Sequence, residues 1–90
     1  MKAVFDPAFY RMLKKVDVRI QNKVKELMLL FSKNSNDPQL NNHALQRRWK
    51  GYRSIDITAD WRAIYKEREL DEEIIAYFVA IGTHKRLYRA

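Results

Sequence analysis

The chain has no cysteine, and only two histidines, two glycines and two prolines occur among its 90 residues. Each shortage excludes something. Without cysteine there is no disulfide, no zinc–thiolate site and no thiol nucleophile. Two histidines make a weak basis for a metal site, because the remaining ligands would have to be carboxylates. The opening MKAVFDPAFYRMLKK lacks an apolar signal segment, and no run approaches the roughly 20 residues of a membrane span. The chain is therefore expected in the cytoplasm, off the membrane, without metal or cofactor.

Acidic residues are scarce in a particular way. Five of the eleven fall in ERELDEE, Glu67–Glu73; the rest of the chain carries seventeen basic residues against six acidic ones, a balance of +11. Such a field favours a polyanion, most simply nucleic acid, over a charge that serves only solubility or an acidic protein partner. The 47% apolar content is that of a globular protein. A chain this short forms one domain, 1–90, and buries roughly 60% of its unfolded surface.

The first half reads as helical. KAVF (Lys2–Phe5) suits a short strand, and Asp6-Pro7 a helix start, with aspartate as N-cap and proline at the first helical position. Phe9, Met12, Leu13 and Val16 form one helical face. Ile20, Val24, Leu27 and Phe31 form the stripe of a second helix, from about Asp17 to Ser32. NSNDPQLNN (Asn34–Asn42) is turn chemistry. Beyond it the period becomes two. Arg53, Ile55 and Ile57 alternate with Tyr52, Ser54, Asp56 and Thr58, predicting a half-buried strand. Trp61–Lys66 predicts a second strand, ERELDEE a charged hairpin connection, and Ile74–Ile81 a third strand. Helices followed by strands predict an α+β fold, an N-terminal helical hairpin packed on one face of a mostly antiparallel sheet.

Chemistry-bearing residues gather in HALQRRWKGYRSIDITADW (His43–Trp61) and in IGTHKRLYRA at the C-terminus. His43 and His84 lie 41 residues apart, so only the fold can bring them together. Each is open to a surface or capping role as well as to general acid–base work near neutral pH. Asp60 fits an Asx-type turn between strands as well as a site. Asp56 shares a strand face with Tyr52 and Ser54, where a carboxylate either faces solvent or serves a site. Arg47, Arg48, Lys50 and Arg53 interleave with Trp49, Tyr52 and Trp61. That mixture suits single-stranded RNA, with charge for phosphates and flat faces for unstacked bases. A solvated basic edge with packing tryptophans is the plainer reading.

The ordered set NNHALQRRWKGYRSIDITADWRAIYK (Asn41–Lys66) and IGTHKRLY (Ile81–Tyr88) resembles the YafQ-type branch of the RelE/ParE toxin superfamily. That branch's pattern is His-x-Leu, Trp-Lys-Gly-x-Arg, Asp-Trp with Ile-Tyr soon after, and a terminal Gly-Thr-His or Gly-Ser-His. The resemblance implies a RelE-like fold and a bacterial toxin of a type II toxin–antitoxin pair, cutting mRNA within the ribosome and held by a cognate antitoxin protein. His43, Asp60, Trp61 and His84 match functional positions of the family, and Tyr88 a C-terminal aromatic. Two positions depart from it. Asp56 stands where some relatives have a further active-site histidine, and Arg47 where a glycine is common.

RNA can be cut without metal if its 2′-hydroxyl attacks the adjacent phosphate. The protein must remove a proton from that hydroxyl, give one to the 5′-oxygen, and stabilise charge on the phosphoryl oxygens. On this scheme His43 is the base and His84 the acid, and the reverse assignment satisfies the same chemistry. Asp60 orients a histidine or acts as base. Arg48, Lys50, Arg53 and Lys85 are phosphate candidates, and Trp61 and Tyr88 stacking candidates. Asp56 is expected to line the RNA cleft, its charge opposing the phosphate. The free toxin is expected to be a monomer. The alternatives are a ParE-like gyrase inhibitor or a degenerate member that only binds RNA or its antitoxin.

Overall fold

The computed structural model describes Met1–Tyr88. Its strands are β1 (Ala3–Phe5), β2 (His43–Ala44), β3 (Arg53–Asp56), β4 (Trp61–Leu70) and β5 (Glu73–Thr83), and its α-helices are α1 (Pro7–Leu13), α2 (Val18–Lys33) and α3 (His84–Leu87). The sheet order is β1-β5-β4-β3-β2, with β1 parallel to β5 and the other pairs antiparallel. The α+β expectation of a helical hairpin on a mostly antiparallel sheet therefore holds.

Local chemistry sets the helix ends. Asp6 Oδ1 accepts from the Ala8 amide at 2.8 Å, with Pro7 opening α1. Asp17 Oδ1 does the same for the Arg19 amide at 2.7 Å at the start of α2. The periodic face expected to continue to Val16 is cut short, because α1 ends at Leu13 and the chain must turn before the Asp17 cap. Met12, expected on the inner face, is exposed. Phe9, Val24, Leu27 and Phe31 are buried as the stripes predict. Phe31 meets Tyr65 and Phe78 edge-on, at centroid distances of 5.3 and 5.4 Å. Burying such rings contributes much of the stability of a domain this small.

Two strand expectations need correction. ERELDEE is mostly strand. β4 runs to Leu70 and β5 starts at Glu73, so the turn is only Asp71 and Glu72. Both have positive φ, 50° and 64°, the conformation of a two-residue hairpin turn that matches strand twist. The charges are tolerated because this end of the ribbon is mostly exposed. Second, β3 is not half-buried: Ser54 and Ile55 are both fully buried. The second sheet face carries its own small core of Leu45, Ile64 and Ala80, covered by Trp49, Tyr52, Leu87 and Tyr88.

The sheet is clasped to the start of α1 by two polar contacts at Asp6. Tyr77 donates its hydroxyl to Asp6 Oδ2 at 2.6 Å, while the Asp6 amide donates to the Phe78 carbonyl at 2.9 Å. The Tyr77 hydroxyl, and then the Ala8 amide, hold the Asp6 carboxyl below its ordinary value of 3.8. A depressed folded pKa gives stability that is fully present above the unfolded value and is lost as pH falls through the folded one. Tyr77→Phe should therefore lower Tm at neutral pH, and the gap from wild type should close as pH falls below about 3.8. Melting curves of both proteins between neutral and acid pH test this; a gap that does not change with pH contradicts it.

Candidate functional site

The β-ladders place the candidate residues on definite faces. His43 pairs with Ser54, Ser54 with Ile64, and Ile64 with Ala80, so these four form one row across the sheet. Two residues further along, Asp56 pairs with Arg62 and Arg62 with Gly82. Paired residues share a face, and so do residues two apart where the ladder is regular, as it is on this side of the irregularity between Ile64 and Tyr65. His43, Asp56 and Arg62 thus lie on the face that carries the small second core, with His84 just beyond Gly82. Three strand spacings and four residues separate His43 from His84, on the order of 15–20 Å between Cα atoms. The histidines share one face at one end of the sheet without meeting directly. The Asp56–Arg62 row lies between them.

His43 is exposed on the edge strand, and its Nδ1 lies 2.7 Å from the Asn41 carbonyl. A carbonyl only accepts, so Nδ1 carries the proton and Nε2 is left as the free acceptor. Asn41 adopts the left-handed conformation, φ 46° and ψ 48°, which asparagine tolerates better than most residues. Its side-chain amide donates to Asp56 Oδ2 at 3.3 Å.

His84 opens α3, whose N-cap is Thr83: the hydroxyl accepts from the Arg86 amide at 3.2 Å. The His84 amide donates to the Asp60 carbonyl at 2.7 Å, so the β3–β4 turn and the start of α3 are joined. Asp60 is exposed in that turn. Its carboxylate does not make the turn; the Thr58 hydroxyl does, accepting from the Asp60 and Trp61 amides at 3.3 and 3.2 Å. The His84 ring meets Tyr88 edge-on at 4.6 Å. α3 is held to the sheet by Trp49, whose indole N–H donates to the Leu87 carbonyl at 2.9 Å. Gly82 makes room for this packing: a Cβ there would lie 3.2 Å from Leu87 Cγ.

The other candidates divide. Arg48 and Lys50 are exposed on the segment before β3, and Lys85 is exposed on α3. Arg53 alternates with Ser54 and so faces the helical layer; its Nε donates to Asn42 Oδ1 at 2.9 Å, away from the His43 face. Trp61 also lies on the helical side, half-buried against the main core. Between it and α1 runs a groove of about 450 Å³ that Met12, Val16 and Leu87 also line. Both oxygens of Asp56 are engaged, Oδ2 by Asn41 and Oδ1 by Arg62 Nε at 3.0 Å, an ion pair rather than an aligned hydrogen bond. Arg47, where relatives are expected to carry glycine, has φ 59°, the left-handed region that favours glycine. Asn41 and Arg62 escaped the sequence reading. Only the motif-like proximity of Asn41 to His43 could have flagged the first. Nothing marked Arg62 among eighteen basic residues. Among the described residues no three His, Cys, Asp or Glu side chains gather as a metal site.

Comparison with known proteins gives a consistent answer. The family model described as "Bacterial toxin of type II toxin-antitoxin system, YafQ" matches residues 1–89. A protein named mRNA interferase toxin YafQ, from Escherichia coli strain B / BL21-DE3, is 39% identical over 69 residues, 74% of this chain and 71% of the relative. The crystal structure of YafQ from E. coli strain BL21(DE3) superposes with a TM-score of 0.74 at 31% identity, covering 97% of each chain. YafQ in the E. coli DinJ–YafQ toxin–antitoxin complex matches with a TM-score of 0.71 at 31% identity, over 97% of this chain and 96% of that one. The YoeB/ParE toxin from Agrobacterium tumefaciens shares the fold, with a TM-score of 0.72 at 20% identity over 93% of this chain and 99% of that one.

The tether of α3 has a measurable cost of removal. Trp49→Phe keeps an aromatic plate but deletes the donor to the Leu87 carbonyl. Urea unfolding should show a loss of about 1 kcal/mol, within the range for a part-buried hydrogen bond. An unchanged midpoint would show that α3 is held by apolar contact alone.

Proposed function

The chain belongs to the YafQ family of bacterial toxins of type II toxin–antitoxin systems, and from that premise we propose that it is an mRNA interferase. It cuts mRNA on the ribosome, without metal, through attack of the 2′-hydroxyl on the adjacent phosphate. The observation that carries this reading is the hydrogen bonding of His43, whose Nδ1 contact to the Asn41 carbonyl leaves Nε2 free to take a proton. His43 is the general base in this scheme. His84 donates to the departing 5′-oxygen, and Asp60, joined to it through the bond from the His84 amide to the Asp60 carbonyl, orients it from the neighbouring turn. The separation of the two histidines suits a substrate that bridges them, with the scissile phosphate between.

Arg48, Lys50 and Lys85 supply charge for the phosphates. Trp61 and Tyr88 offer flat faces, though Trp61 reaches RNA only at the rim of its groove, and Tyr88 also braces the His84 ring. Arg53 leaves this set because strand alternation turns it to the helical layer, opposite Tyr65, where its Nε donates to Asn42. The family match favours a nuclease over gyrase inhibition. The free protein is a monomer on this reading. Its cognate antitoxin covers the basic surface around Arg47–Arg53 and the C-terminus, which would otherwise hold RNA; Arg89 and Ala90, at that end, lie outside the described residues.

Cleavage of ribosome-bound mRNA by the purified protein should survive chelators and leave 2′,3′-cyclic phosphate and 5′-hydroxyl ends. His84→Ala should cut about 10²–10⁴-fold more slowly. Products with 3′-hydroxyl ends would overturn the mechanism.

Salt gives an independent test of the surface. If about four phosphates are neutralised, affinity for isolated RNA should fall about 50-fold between roughly 50 and 200 mM salt. An affinity that ignores salt would show that the basic face is not an RNA footprint.

A further inference from the structure

Arg62 lies at a junction that acid–base chemistry alone does not explain. Its side chain is only 15% exposed and its partner Asp56 27%. The Nε end lies 3.0 Å from Asp56 Oδ1. The Nη1 end donates to the carbonyls of Thr58, Ala59 and Trp61 at 2.9, 3.0 and 3.1 Å. Three carbonyls turned toward one point repel each other unless a cation lies among them, and a guanidinium supplies it with charge-assisted bonds. The turn they belong to is the one that carries Asp60, whose own carbonyl accepts from the His84 amide at 2.7 Å. One arm therefore runs from Arg62 through the turn to His84.

The other arm runs from Asp56. Its Oδ2 accepts from the Asn41 side-chain amide at 3.3 Å, and the Asn41 carbonyl receives His43 Nδ1 at 2.7 Å. The direction of that carbonyl depends on ψ of Asn41, a residue in a sparsely populated backbone region. Such a conformation persists when its surroundings hold it, and the Asp56 contact is the side-chain hold on it.

We propose that Asp56 and Arg62 are positioning residues that fix both ends of the active site at once. Asp56, through Asn41, sets the ring orientation and tautomer of His43. Arg62, through the carbonyls of Thr58, Ala59 and Trp61, sets where Asp60 and His84 sit. A solvated surface ion pair would contribute almost nothing; this one is mostly buried and branches to both histidine segments. It also gives a use to the aspartate at a position where the resemblance implies a histidine in some relatives. The carboxylate faces Arg62 and Asn41, so its charge is compensated before any phosphate arrives.

The inference rests on the nuclease reading for its consequence in rate, but its geometry is testable without RNA. Long-range ¹⁵N–¹H spectra of the full chain report the tautomer of each histidine, and amide exchange reports the His84 N–H. In wild type His43 should carry its proton on Nδ1. Asp56→Ala should shift His43 toward the Nε2–H form, and Arg62→Lys should speed exchange of the His84 amide at least tenfold. Amides of the β4–β5 ladder such as Ile64 should stay protected in both. Asp56→Asn keeps an acceptor for Asn41 and should retain the wild-type tautomer, which separates the positioning effect from loss of fold. Single-turnover cleavage by Asp56→Ala should fall about 10–100-fold, the scale of losing an outer-shell partner, with RNA affinity little changed. An unchanged His43 tautomer in Asp56→Ala, or unchanged His84 exchange in Arg62→Lys, overturns the proposal. Both spectral changes in a protein whose wild type cuts no RNA would leave the clamp standing and refute the nuclease reading instead.

Discussion

The antiparallel ladder between β4 and β5, from Trp61 opposite Thr83 to Leu70 opposite Glu73, is the constraint on which the rest of the molecule depends. It contributes Tyr65 and Phe78 to the main core and Ile64 and Ala80 to the smaller one, so both layers are built against it. Its open end decides where the chemistry can be. Because Trp61 pairs with Thr83, the turn before β4 and the helix after β5 must leave the sheet side by side. The 2.7 Å bond from the His84 amide to the Asp60 carbonyl follows from that register. A slip of one residue would turn every side chain of β5 to the other face and separate the two segments.

Much of this architecture was legible in the amino-acid pattern, because it rests on local rules. Asp6-Pro7 and the stripe through Val24, Leu27 and Phe31 act within one or two helical turns, and caps and periodicity report such contacts directly. The boundaries that escaped depend on distant partners. ERELDEE looks like a connection by charge, yet the ladder continues through Glu67–Leu70 because Glu73–Ala76 lie opposite. Ser54 looks like the solvated half of an alternating strand, and is buried because Trp49, Leu87 and Tyr88 return to cover that face from elsewhere in the chain.

The site shows the same division. His43, Asp60 and His84 stood out because histidine is rare here and the TADW and GTH segments follow a family's order. Their support did not stand out. Arg62 is one of eighteen basic residues and Asn41 one of several turn-forming asparagines, and only the fold gives them partners. Arg53 shows the converse: in the string it belongs with Arg48 and Lys50, but strand alternation turns it to the opposite layer, where Asn42 holds it. Asp56 looked like a lone carboxylate in an RNA cleft. With Arg62 and Asn41 in place it is a compensated group whose effect on a phosphate is correspondingly weakened.

In the proposed mechanism His43 on the edge strand and His84 at the start of α3 act as a unit on a single phosphate. Residues that act as a unit are strongly non-additive when removed. The most direct measurement is single-turnover cleavage of ribosome-bound mRNA by wild type, His43→Ala, His84→Ala and the double variant. The double variant should be about as slow as the slower single one. Losses that multiply would mean that the histidines contribute independently, and full activity in the double variant would mean that neither takes part.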